Sequence, residues 1–412
     1  MFTLFLVSLL AVAHPTEQLS WDDCVKEIGM NNLDIKAARE NISAYKYTKK
    51  AQWSGFLPTV SGDLSAKRGN TNTSLNTDNT NYAASLVLSQ NIFSGFQTVG
   101  KLEGAQANIE GQEATYNSVM AQVSYNLQNA FAQVLYARDY IALSEANIKR
   151  RQENLNLVQL RFEGGMENKG SYLLSKASLE EAHYDYEQAK HLLQTAKQQL
   201  ASVIGRKSLE GDIDIEGDIP VNQPEKNVDM EKIVEETPTH KLAISQTKAY
   251  KADLRVVRSD FYPSFDFTGL TSKEGNAWPL PNNQWYLMLS LSIPLFNGGS
   301  DYYSTYSAAS TLSSSIFSQQ QTDLDLLYSL RQTYNSFLDA INKVGVYRSF
   351  VEAATTRAKI SRGKYNTGLL NFENWDIIEN DLINKQKTYI QTLRDRRLAE
   401  ASWLQVQGKG VF

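Results

Sequence analysis

The octapeptide GFQTVGKL, residues 95–102, fits Gly-x-x-x-x-Gly-Lys between an alternating run and a helical run, the placement of a phosphate-binding loop. Leu102 stands where that loop needs a magnesium-binding Ser or Thr, and no parallel-sheet pattern follows. Both departures argue against nucleotide binding. His183 and His191 stand eight apart on one helical run, too far to share an ion, and His14 and His240 lie elsewhere. The six methionines are scattered. No nucleophile has a local base and a group to orient it. The sequence thus predicts no enzyme, no cofactor and no metal site. Cys24 is the single cysteine, so an intrachain disulfide is impossible, and it reads as a small buried residue on the first helix. Glu373, Asp376 and Glu379 recur at three-residue steps after Gly368. Acids so placed either attract cations or simply favour a helix N-terminus.

What positions these residues is a longer pattern. The chain has 412 residues and a net charge of -4, with bases and acids intermixed and no basic stripe, which excludes a nucleic-acid partner. Residues 1–13 form an apolar run ending Ala11-Val12-Ala13, a small-x-small site expected of a cleaved export signal, although the usual positive start is missing. No other segment approaches 18 apolar residues, so entry into a membrane would proceed without helices.

The chain is written twice. GFLPTV at 55–60 matches DFYPSF at 260–265, with Pro58 and Pro263 standing 205 apart. IFSG at 92–95 matches LFNG at 295–298, and RFEGG at 161–165 matches KYNTG at 364–368, both 203 apart. The first repeat is expected over 14–209 and the second over 230–412, with a polar linker at 210–229. Each repeat begins with a helix of about thirty residues (roughly 20–52 and 229–258), which a proline ends while opening a strand. Strands are expected at about 58–68, 82–93, 263–271 and 284–295. Long helices follow at about 98–163 and 300–366, then shorter ones at about 171–203 and 372–407.

Apolar residues of the first long helix, among them Val123, Leu127, Phe131, Val134, Ile141, Ile148, Leu155 and Val158, recur in steps of three, four and seven. That is coiled-coil periodicity. At 1.5 Å per residue such a helix is a rod of roughly 100 Å. Gly164, Gly165 and Gly368 stand where left-handed caps would turn each long helix back into a shorter one.

The strands alternate, with Trp285, Leu287, Leu289 and Leu291 on one face and polar residues between them. About ten residues of this kind suit a strand crossing an outer membrane beside a wet lumen, and the period equally fits a soluble sheet on a core. Long polar loops and Tyr82, Trp278, Trp285 and Tyr286 near strand ends favour the membrane. Four strands cannot close a barrel, which needs about eight or more, and lipid tolerates no open edge. A barrel must therefore be shared between copies, most economically by cyclic symmetry. The fold class expected is an α+β membrane protein, a tandem-duplicated protomer giving four strands to a shared transmembrane β-barrel.

LSIPLFNGG at 291–299 resembles the strand-to-helix junction of the TolC family of outer-membrane efflux proteins. RFEGGMENKGSYLLSKASLEEA at 161–182 and KYNTGLLNFENWDIIENDL at 364–382 are similar to that family's hairpin tips. Pro58 and Pro263 match its strand openings. The first junction departs, with Asn91 for the usual proline and Phe96 for the second glycine.

The resemblance implies a homotrimer whose long helical hairpins build a periplasmic α-barrel below a twelve-stranded β-barrel. It implies an exit duct for drugs, ions or exported proteins in the outer membrane of a Gram-negative-type bacterium, extending into the periplasm. Its partners would be outer-membrane lipid, a periplasmic adaptor (a membrane fusion protein) and an inner-membrane transporter. The C-terminal extension of some members is expected to be missing after Phe412.

By the same resemblance the junctions comprise Phe93, Gly95, Pro294, Phe296, Gly298 and Gly299. Gly165, Glu167, Asn168, Lys169, Ser171, Gly368 and Asn371 become candidate adaptor or pump contacts at the tips. Some members carry acids six and nine residues beyond the second tip glycine, where Asn374 and Ile377 stand here. Glu373 and Asp376 lie one step away, and with Asn374 and Ile377 they make the candidate tunnel gate, where a trimer would gather acids that favour cations. The alternative is a soluble periplasmic coiled-coil adaptor with a small sheet of its own.

Overall fold

The computed structural model describes residues 17–71, 77–206, 213–225 and 227–412. The expected export signal and part of the expected 210–229 linker lie outside them. In chain order the elements are β1 (Glu17–Ser20), α1 (Trp21–Asn31), α2 (Leu33–Gln52), β2 (Thr59–Thr71), β3 (Thr77–Ser94), α3 (Gln97–Glu163) and α4 (Lys169–Ile204). They continue as β4 (Ile213–Glu216), α5 (Met230–Glu236), α6 (Pro238–Arg258), β5 (Ser264–Gly275), β6 (Asn282–Ser292), α7 (Ser300–Asn366) and α8 (Phe372–Val406). The chain forms two compact units, each drawing on both repeats. One comprises the described residues within Met1–Ala37, Asn117–Thr237 and Asp325–Phe412, the other those within Ala38–Tyr116 and Pro238–Leu324.

The second unit holds an antiparallel sheet in the order β2-β3-β5-β6. Its hairpins pair Thr59 with Ser89 and Ser264 with Ser292, and the two repeats join where Val87 opposes Leu270. Directly opposed residues share a face, so Val60, Leu88, Gly269 and Leu287 form one row across the sheet. Among the described residues nothing covers that face: Leu64 is 82% exposed and Trp285 71%. The strands reach further into the polar connections than alternation predicted, β2 to Thr71 and β3 from Thr77, because backbone pairing needs no apolar side chain. β6 stops at Ser292, two residues before Pro294, which has no N–H for the ladder.

The first unit corrects other expectations. The thirty-residue opening helix is two helices, α1 and α2, because the Asn32 side chain accepts from Asp34 N (2.9 Å) and Ile35 N (3.1 Å) and caps a new start. The helix expected at 229–258 is also two, since α5 ends at Glu236 with Thr237 extended, and α6 begins on Pro238, which suits a first turn. The linker contains β4, which pairs in parallel with β1 from Glu17–Ile213 to Ser20–Glu216. A core of Met230, Val234, Leu326, Leu330, Phe337 and Trp403 holds α5 to α7 and α8. In α4 the buried positions Ser175, Ala182, Ala189 and Ala196 recur every seven residues, and small side chains there allow close helix approach.

Candidate functional site

Two turns of matching geometry connect the hairpins of the first unit. After α3, Met166 N donates to Arg161 O at 2.8 Å and Gly165 takes φ +71°. After α7, Leu369 N donates to Lys364 O at 2.8 Å and Gly368 takes φ +76°. Both are helix caps that glycine alone forms without strain. Three residues on, Asn168 caps α4 by accepting from Ser171 N at 2.9 Å, and Asn371 caps α8 by accepting from Asn374 N at 3.1 Å.

The turns are tied together. Arg161 donates to Tyr365 O at 2.9 Å and lies over the Tyr365 ring, 4.8 Å from its centroid. Tyr365 stacks on Trp375 at 4.3 Å and donates its hydroxyl to Glu167 Oε2 at 3.0 Å. Burial, then the bond to Glu167, raises the Tyr365 hydroxyl above its ordinary range, so it stays protonated. Val158, Phe372 and Trp375 close over it. Each such side chain, fully buried, contributes about 1.5–3 kcal/mol.

Nearer the middle of the hairpins the seam between α3 and α8 is polar. The buried line of α3 runs Ser144, Asn147, Arg151, Asn154 and Val158, while Ile141, Ile148 and Leu155 are only half-buried. The core register there is therefore displaced from the apolar residues that periodicity singled out. Glu379 is 1% exposed and accepts from Arg150 Nη1 at 3.2 Å and Asn154 Nδ2 at 3.3 Å. Arg151, itself buried, donates to Asp376 Oδ1 at 3.3 Å and to Asn380. Buried charges are tolerable when paired and bonded in this way.

Of the candidate gate residues, Glu373, Asn374 and Ile377 are exposed, whereas Asp376 meets Arg151. Among the contact candidates, Gly165, Asn168, Lys169, Gly368 and Asn371 are exposed, Glu167 is engaged by Tyr365, and Ser171 is buried under the α4 cap. Sequence reading passed over Arg150, Arg151, Asn154, Arg161, Tyr365 and Trp375. The available signal was a polar run at three- and four-residue steps where a coiled coil should be apolar.

In the second unit, Pro58 and Pro263 follow the short turns Trp53–Phe56 and Ser259–Phe261 and precede β2 and β5. At the junctions Gly95 (φ +61°), Gly298 (φ +64°) and Gly299 (φ +83°) are left-handed. Phe96 adopts φ +70° where the second repeat has glycine, and its ring is held edge-on by Phe93 and Tyr262. Asn91 donates to Asp266 Oδ1 at 2.7 Å beside a bulge in β3. Phe296 is 83% exposed. A Cβ on Gly95 would meet Ser259 O at 2.6 Å, whereas one on Gly298 would meet nothing within 4 Å.

The profile of the family described as outer membrane efflux protein matches residues 25–206 and 232–408. This chain belongs to that family. Members of the outer membrane efflux protein family are channels and not enzymes. The chain is similar to the probable efflux pump outer membrane protein TtgC of Pseudomonas putida, 24% identical over 289 residues. That match takes in 66% of this chain and spans 58% of the relative's length. It is 22% identical to the alkaline protease secretion protein AprF of Pseudomonas aeruginosa, over 80% of this chain and 69% of the relative.

The fold matches the outer-membrane channel OprN with a TM-score of 0.84 at 18% identity, covering 96% of this chain and 93% of that one. It matches the Campylobacter jejuni CmeC outer membrane channel at 0.81 and 15% identity, over 94% and 85%. Among the described residues no helix is long and apolar enough to cross a membrane.

Proposed function

We propose that this protein is the outer-membrane exit duct of a tripartite efflux pump or type I secretion system, passively conducting drugs, ions or exported proteins from periplasm to exterior. Names of the relatives supply the cargo classes: toluene and antibiotics for efflux-pump relatives, and a protease for AprF. The observation that carries the reading is the four-stranded sheet, which among the described residues is unpaired at β2 and β6 and bare on its apolar face. Such a sheet is stable in lipid only when other copies satisfy both edges.

Three copies would close twelve strands. The internal duplication indicates how. Within the chain, Gly95 is packed by Ser259 and Tyr262 of the following repeat. The duplicated positions, Ser54 and Leu57, belong to the first repeat, so in a ring those of the next copy would pack Gly298. The hairpin turns are proposed to meet the adaptor and the inner-membrane transporter. The gate is proposed at the second turn, with Glu373 offering a free acid and Asp376 held by Arg151.

Native mass of the detergent-extracted protein, followed by planar-bilayer conductance, tests this. A trimer with defined conductance steps is expected. A monomer in several detergents, or a trimer that never conducts, overturns the reading.

A further inference from the structure

Both repeats enter the sheet the same way: a helix with bases in its last turns, a short turn bearing aromatics, a proline, then a strand. In the first repeat these are Lys46, Lys49 and Lys50, then Trp53 and Phe56, then Pro58 and β2. In the second they are Lys251, Arg255 and Arg258, then Phe261 and Tyr262, then Pro263 and β5. Resting on the membrane reading above, we propose that the first of these is a binding site for one anionic glycerophospholipid of the inner-facing leaflet. Its phosphate would be held by Lys49 and Lys50, and its chains would run beside β2.

Lys46, Lys49, Lys50, Tyr47, Trp53 and Gln106 line a groove of about 550 Å³ between α2 and α3. Lys46 is 3.9 Å from Glu113, the one acid lining the groove among the described residues. Lys49 donates to the neutral amide of Gln106, at 2.7 Å, and Lys50 lies 5.3 Å from the Tyr47 ring centroid, and neither forms an ion pair among the described residues. Below them Trp53 is 55% exposed and Leu57 62%, and they lead directly to the bare side chains of Val60 and Leu64. From lysine to strand the surface passes from cationic to amphipathic aromatic to aliphatic. A phospholipid presents the same sequence from phosphate to glycerol ester to acyl chain. The second repeat's copy is weaker, because Arg255 is engaged by Glu103 and Asp253 and Asp260 lie among its bases.

The test is native mass spectrometry of the full chain, extracted from membranes and exchanged against equimolar phosphatidylglycerol and phosphatidylcholine. The wild type should retain phosphatidylglycerol preferentially. Lys49→Gln with Lys50→Gln should lower that preference roughly ten- to thirtyfold, since each lysine near an anionic surface contributes several-fold. Lys50→Gln alone, which removes no hydrogen bond, should give part of the loss, and Lys50→Arg should restore it. Neutralising the exposed Lys343 and Lys359 should change nothing. Equal retention of both lipids by the wild type, or an unchanged preference in the double variant, overturns the site. Displacement of the lipid by millimolar inorganic phosphate assigns the groove to a free anion and overturns it too. A chain that floats with no vesicle of either lipid refutes the membrane reading instead, and the site with it.

Discussion

In the proposed ring, the joint between repeats inside one chain would be the template for the joint between copies. Val87 on β3 directly opposes Leu270 on β5. The 203-residue repeat offset carries Val87 to Ser290 on β6, and the 205-residue offset carries Leu270 to Ser65 on β2. Ser290 of one copy should therefore face Ser65 of the next, while Leu291 faces Leu64 on the lipid side. Directly opposed residues have Cβ atoms about 4.5–5.5 Å apart, and a disulfide needs about 3.5–4.5 Å, so thermal motion suffices to join them. A slip of one residue moves the strand about 3.4 Å and turns every side chain to the other face. Ser65→Cys with Ser290→Cys, in a Cys24→Ser background, should thus cross-link on mild oxidation. Leu64→Cys with Ser290→Cys should not. On a non-reducing denaturing gel the products should be two and three times the 46.3 kDa chain mass and no larger. Fourfold products would refute the trimer, and cross-linking through position 64 but not 65 would refute the register.

At the junctions, Gly95→Ala should impair folding of the single chain, because its Cβ would lie 2.6 Å from a backbone oxygen and its φ of +61° adds about 1–2 kcal/mol of strain. Gly298→Ala adds only the strain within one chain and should instead lower the yield of assembled oligomer; equal loss of folded monomer would contradict the packing argument. In the polar seam, Arg150→Leu should cost about 3–5 kcal/mol by stranding a buried Glu379, whereas Glu379→Leu should cost about 1 kcal/mol, because Arg150 is 31% exposed and can turn to water. Hydrogen exchange of the first turns of α8 should accelerate at least a hundredfold in the former variant, and the double variant should resemble Glu379→Leu; the opposite ranking would sink the reasoning. Burial pushes the Cys24 thiol up to about 12, so at pH 8 the native protein should hold roughly a thousandfold less thiolate than the unfolded chain. Thiol reagents should label it only after denaturation, and rapid native labelling would contradict its burial.

The features legible in the sequence are those written locally. Alternation over 284–291 marked β6, because a strand exposes one face per second residue whatever it pairs with. The glycines at 165 and 368 marked the turns, since a left-handed cap excludes a Cβ wherever it occurs. Duplication located the second repeat's elements from the first, and the long helices α3 and α7 declared themselves by period and by the absence of proline. The split at Asn32 was also local, though an asparagine that caps a helix looks the same as one on its surface until its side chain is placed.

Only the tertiary structure decided the rest, because it depended on residues far apart. β1 and β4 are four residues each, too short to alternate visibly, and they exist because they pair across nearly two hundred residues. The acids at 373, 376 and 379 are alike as letters on a helix start. Packing α8 against α3 makes them three different things: Glu373 faces water, Asp376 meets Arg151, and Glu379 is buried on Arg150 and Asn154. A charge's role follows from what neutralises it, and that partner lies more than two hundred residues away.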